Sequence, residues 1–108
     1  MAYRTRMIAM IKYGHFGEYL KMVKKLDEIG RARGWAAARL FVPTAGAGNE
    51  LIIESEYPDL ATLQKEHEEF YADEQAFQVF RSGAEHIVEG SVRSELLEDV
   101  SMDFPGSD

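Results

Sequence analysis

Two histidines and a tyrosine are the groups in this chain best suited to chemistry. His67 and Tyr71 stand four residues apart, so on a helix they share one face, a turn from each other. His86 opens an alternating run and falls on the same side of it as Val88 and Val92. Imidazole titrates near neutrality and can move a proton to or from a bound phenol or enol. A phenol beside it can orient a substrate. If the helix and the strand pack on each other, His67, His86 and Tyr71 meet in one cavity as candidate catalytic groups. The alternative is that both histidines are hydrogen-bonded core groups and Tyr71 edges the core. The sequence leaves both open.

Around them, Thr5, Met7, Tyr57 and Phe70 are the candidate ligand contacts. Apolar and aromatic walls with a few hydroxyls suit a hydrophobic or aromatic small molecule. No metal is expected. Glu66 and Glu68 should point away from His67 and Tyr71, and there is no His-x-x-x-His pair. No other cofactor is expected either. Gly46-Ala47-Gly48 joins two strands, whereas a dinucleotide motif leads from strand to helix. Gly14-His15-Phe16-Gly17 enters a helix but reads as a plain turn, and no serine sits in a nucleophile motif.

These groups must be positioned by six elements in the order strand, helix, strand, strand, helix, strand. Residues 3–12 alternate, with Met7, Ala9 and Ile11 on one side and Arg4, Arg6, Ile8 and Met10 on the other. From Phe16 to about Arg33, Tyr19, Leu20, Val23, Leu26 and Ile29 recur at helical spacing, and Gly34 stops the run. Strands are expected at 35–42, 50–57 and 86–97. Asp59 is the expected N-cap of the second helix, and Asp73 caps a further helical piece carrying Ala76, Phe77 and Phe80. The fold expected is a ferredoxin-like βαββαβ sandwich of α+β class. Its four-stranded antiparallel sheet has order 4-1-3-2, with the helices on one face because both crossovers are right-handed.

The opposite face then mixes Ile8, Met10, Phe41 and Ile52 with Arg4, Arg6, Arg39, Glu54, Glu56, Glu89, Arg93 and Glu95. Apolar residues among pairable charges suit an interface, and a two-fold homodimer is the simplest closure. One domain is expected over 1–98, followed by an acidic tail at 99–108. The formal charge of −7 repels phosphate and argues against nucleic acid. No apolar run approaches the roughly 20 residues of a membrane span. Zero cysteines exclude disulfides and suit a cytoplasmic setting.

The stretches GHFGEYLKMVKKL and ESEYPDLATLQKEHEEFYAD resemble the dimeric α+β barrel superfamily, which includes antibiotic-biosynthesis monooxygenase-like, EthD-like and NIPSNAP-like proteins. The turn Glu56-Tyr57-Pro58-Asp59-Leu60 is most similar to NIPSNAP-like members. The resemblance implies a range of functions, from cofactor-independent oxygenation and isomerisation to haem degradation and plain binding. Haem-degrading relatives use a strand-one asparagine, a tryptophan and a helix-two histidine. His67 matches the last, but strand one has no asparagine and Trp35 opens strand two, which argues against haem. Three readings follow. The first is a cofactor-independent monooxygenase, cyclase or isomerase acting on an aromatic or polyketide-like metabolite. The second is a non-catalytic ligand-binding or accessory module. The third is a structural dimer without pocket chemistry.

Overall fold

The computed structural model describes residues 2–102. Strand β1 (Tyr3–Met10) leads through a glycine turn into helix α1 (Phe16–Ala32). Strands β2 (Arg39–Phe41) and β3 (Glu50–Tyr57) follow, then helices α2 (Leu60–Ala72) and α3 (Glu74–Ser82). A 3₁₀ turn (Ala84–His86) and strand β4 (Arg93–Glu98) complete the order. The sheet is four-stranded and antiparallel in the order β2-β3-β1-β4, the order expected from the sequence.

Register places the two faces as the alternation requires. Met7 lies opposite Ile53 and Ser94, and Thr5 opposite Ser55 and Leu96, on the helix side. Ala9, Ile11 and Leu51 join Tyr19 and Val23 of α1 in the buried core, with Phe16, Leu20, Met22, Ile53 and Ile87 packed against it. Burying Ile11 and Leu51 contributes about 1.5–3 kcal/mol each. Burial also raises the Tyr19 phenol above its ordinary pKa.

The helix ends are set by local chemistry. Asp59 accepts a hydrogen bond from the Thr62 N–H at 2.7 Å, and Asp73 accepts one from Ala76 at 3.0 Å. Those bonds hold both carboxyls below the ordinary aspartate range, with Arg33 adding to the effect at Asp73. Gly34, at φ +78°, turns the chain out of α1 in the left-handed region that glycine tolerates.

Two strands are shorter than their alternation suggests. Residues 35–38 do not pair as strand. The Ala36 N–H donates to the Glu66 carboxylate at 2.6 Å, and the Ala38 N–H to Asp27 at 2.9 Å. Side chains of two helices thus take donors that a ladder would have used. Residues 86–92 also fall outside β4. His86 closes the 3₁₀ turn, Ile87 makes one bridge to Ile11, and Gly90 turns at φ +76°. Of the acidic tail, residues 103–108 lie outside the described residues.

The face away from the helices carries a charge ladder. Arg6 lies between Glu54 (2.8 Å) and Glu95 (3.5 Å), while Arg4 pairs with Glu56 and Glu54. Glu54, shared by both arginines, is buried, while the exposed pairs to Glu56 and Glu95 contribute about 0–1 kcal/mol each. Ile8 is already buried within the chain, whereas Phe41 and Leu97 remain 39% and 38% exposed.

Candidate functional site

Helix α2 has no buried residue, although its apolar stripe faces the sheet side of the molecule. It packs along α3 and the end of β3 rather than down onto the sheet. The gap left between helices and sheet is a cavity in two adjoining chambers, which share Met7, Ile53, Ser55, Phe70 and Phe80.

The chamber on the β4 side holds about 470 Å³. Its floor includes Thr5, Ser55, Ser94 and Leu96, and α2 contributes Leu63, His67, Phe70 and Tyr71. The rings of His67 and Tyr71 lie 6.5 Å apart at 75°, as expected for one turn of helix. Both are open to solvent at the rim, Tyr71 by 67%. Phe70 stands behind them, edge-on to Tyr71 at 5.3 Å and to Phe80 at 5.5 Å. These rings form a continuous aromatic wall.

The chamber on the α1 side holds about 200 Å³. Trp35 closes it, edge-on to Phe70 at 6.1 Å, where glycine at position 30 lets the indole approach α1. A Cβ at Gly30 would lie 3.3 Å from the indole. The indole N–H is buried without an acceptor among the described residues. Glu66 also lines this chamber. Its carboxylate accepts from the Ala36 N–H and from the Tyr57 hydroxyl. Burial first, then that hydrogen bond and the carboxylate charge, push the Tyr57 phenol far above its ordinary pKa. The Ser55 and Thr5 hydroxyls act on the same phenol in the lowering direction.

The sequence-derived candidates therefore divide. Thr5, Met7, Phe70, His67 and Tyr71 line the cavity together. Tyr57 is buried beneath it as the partner of Glu66, and lines neither chamber. His86 does not converge with His67 and Tyr71. It is not on a strand, and its Nδ1 lies 2.9 Å from Nδ1 of His15, at the far end of β1, one ring donating to the other. The expectation of three converging groups assumed a strand that began at residue 86, and the 3₁₀ turn places that imidazole elsewhere.

Three contributors were not singled out from the sequence. Glu66 was expected to point away from His67, and it does, but into the neighbouring chamber. By alternation Trp35 belongs to a strand, and Ser55 stands in no motif. The signal for Glu66 was its place one residue before His67, about 100° around the helix. Among the described residues no three His, Asp or Glu side chains gather as metal ligands. No helix there is long and apolar enough to cross a membrane.

A ferredoxin-like βαββαβ sandwich with one helix-covered face and a cavity under its second helical segment defines a class of fold. Solved structures of that class match this chain. A NIPSNAP family protein from Agrobacterium tumefaciens shares 20% identity, with 96% of each chain covered and a TM-score of 0.77. An uncharacterized NIPSNAP domain protein from Burkholderia xenovorans shares 20% over 94% of this chain and 96% of its own, with a TM-score of 0.75. An antibiotic biosynthesis monooxygenase shares 20% over 92% and 99%, with a TM-score of 0.70. No family model matches the sequence, and no curated protein does. The chain thus has the fold of NIPSNAP and antibiotic biosynthesis monooxygenase proteins, as its sequence resemblance implied.

Proposed function

We propose that this protein is a homodimer that holds an apolar or aromatic small molecule between its sheet and α2, and acts on it without a cofactor as an oxygenase, cyclase or isomerase. The observation that carries the reading is the β4-side chamber. It is an aromatic wall interrupted by one imidazole and one phenol on a single helical turn, above the Thr5 and Ser55 hydroxyls. In the proposed mechanism His67 moves a proton to or from a substrate phenol or enol, and Tyr71 orients the oxygen that carries the charge. His86, bonded to His15, has no part in it.

The second copy is proposed to cover the charge-laddered face. Phe41 and Leu97 stay partly exposed there beside Arg4, Arg6 and their glutamates, a mixture that suits a self-complementary interface. The acidic surface leaves nucleic acid out of the proposal, and a cytoplasmic setting is part of it.

A second reading, a binding module without turnover, is favoured by the exposure of His67 and Tyr71, since proton transfer gains from exclusion of water. The test is His67→Ala. The variant is expected to fold and to keep its oligomeric state, because His67 is exposed, while turnover of a cognate metabolite falls about 10²-fold or more. Retained turnover would remove His67 from the mechanism. Binding by the native protein with no product formed would select the second reading.

A further inference from the structure

The α1-side chamber differs from its neighbour in charge. Its lining is apolar and aromatic, with Trp35, Phe70, Phe80 and Tyr19, and its two charged members are the acids Asp27 and Glu66. No lining residue is basic. Asp27 is neutralised by Arg31 at 2.7 Å and also accepts the Ala38 N–H. Glu66 has no such partner. Its described bonds come from one backbone N–H and one phenol, both neutral donors. A carboxylate offers about four acceptor sites, of which these two donors use two, and neither donor brings a positive charge. A neutral apolar ligand filling this space would strip water from the carboxylate and return no countercharge, which is unfavourable.

We propose that the α1-side chamber selects the protonated amine of its ligand. The amine is held between the Glu66 carboxylate and the faces of Trp35 and Phe70, while the apolar body extends into the β4-side chamber toward His67. The inference rests on the cavity reading above and narrows its ligand to an amphiphilic organic cation. An ammonium satisfies both features of the wall. It donates charge-assisted hydrogen bonds to the carboxylate and is attracted to aromatic faces. Trp35 already has the guanidinium of Arg33 5.9 Å from its ring centroid, and Arg33 is itself neutralised by Asp73. The chamber volume of about 200 Å³ accommodates an aminoethyl-sized head. Glu66 acts here as a specificity residue, and the amine preference does not require turnover.

The chain has one tryptophan, so Trp35 emission reports on this chamber without a label. The experiment titrates the native protein at pH 7 with 2-phenylethylamine, 2-phenylethanol and 3-phenylpropanoate. The amine is expected to bind about tenfold or more tighter than the alcohol, with the carboxylate weakest, since a hydrogen bond to a charged group exceeds a neutral one by about that factor. E66Q is expected to reduce the amine to the affinity of the alcohol and leave the alcohol unchanged. Equal affinity for the three probes, or an amine preference that survives E66Q, would overturn the inference while leaving the cavity reading standing. No emission change with any probe, together with no binding of an apolar dye, would overturn both. Should E66Q fail to fold, the comparison of the three probes on the native protein decides alone.

Discussion

Tyr57 shows how far single residues could be read. Its type and its place at the end of an alternating run marked it as a ligand contact. It instead lies buried, its hydroxyl bonded to Glu66, because the Asp59 cap starts α2 two residues later and swings that carboxylate back over β3. Helical spacing placed His67, Phe70 and Tyr71 on one stripe, and they share one wall. Spacing within a helix says nothing of distance to another element, so the separation of His86 was not legible. The same limit hid Glu66, whose partners Ala36 and Tyr57 come from the segment before β2 and from the end of β3. A pH dependence follows from Tyr57. Its phenol is raised in the folded state, so its contribution is fully present below the unfolded value near 10. Above that pH the unfolded chain ionises while the folded one stays protonated, and stability falls as pH rises. In an alkaline titration followed by phenolate absorbance, Tyr57 is expected to ionise only with unfolding. Tyr57→Phe should flatten the alkaline loss of stability. A Tyr57 that ionises near pH 10 in the still-folded protein would refute this.

At the scale of elements, the strand and helix order was legible because apolar periodicity switches cleanly between two and 3.6. The shortened β2 was not, since its lost ladder bonds go to Glu66 and Asp27, side chains far away in sequence. Nor was the break before β4, where Gly90 and the 3₁₀ turn interrupt an alternation that the residue types alone continue. The junction of α3 with α1 depends on Gly83. It is buried with an ordinary backbone conformation, and a Cβ there would meet the tip of Met22 and lie 3.1 Å from the Tyr19 ring. Met22 can swing aside, but Tyr19 is fixed in the core. Gly83→Ala is therefore expected to destabilise by about 1–3 kcal/mol through overpacking, measured as a lower urea midpoint with an unchanged slope. A neutral result would mean that α3 is free to move away from α1, and with it the wall of the cavity.

For the whole molecule, two surfaces compete for explanation. The helix-covered face ends in a cavity rather than a filled core, because α2 stands off the sheet along α3. The opposite face pairs its own charges yet leaves Phe41 and Leu97 uncovered. A pattern of alternating residues announced both faces but could not announce the gap, which depends on the height of α2 above the sheet. Each surface has a proposed occupant, a small molecule under α2 and a second copy against the ladder. Ser55 lines both chambers, so Ser55→Phe fills the cavity from its floor. The most direct test is native mass spectrometry of the protein purified from its own host, beside this variant, under gentle and then denaturing conditions. A species at twice the 12.2 kDa chain mass is expected for both proteins. The native one should carry a reproducible small adduct that denaturation releases and that the variant lacks. A single-chain mass, or a dimer whose spectrum Ser55→Phe leaves unchanged, would contradict these assignments.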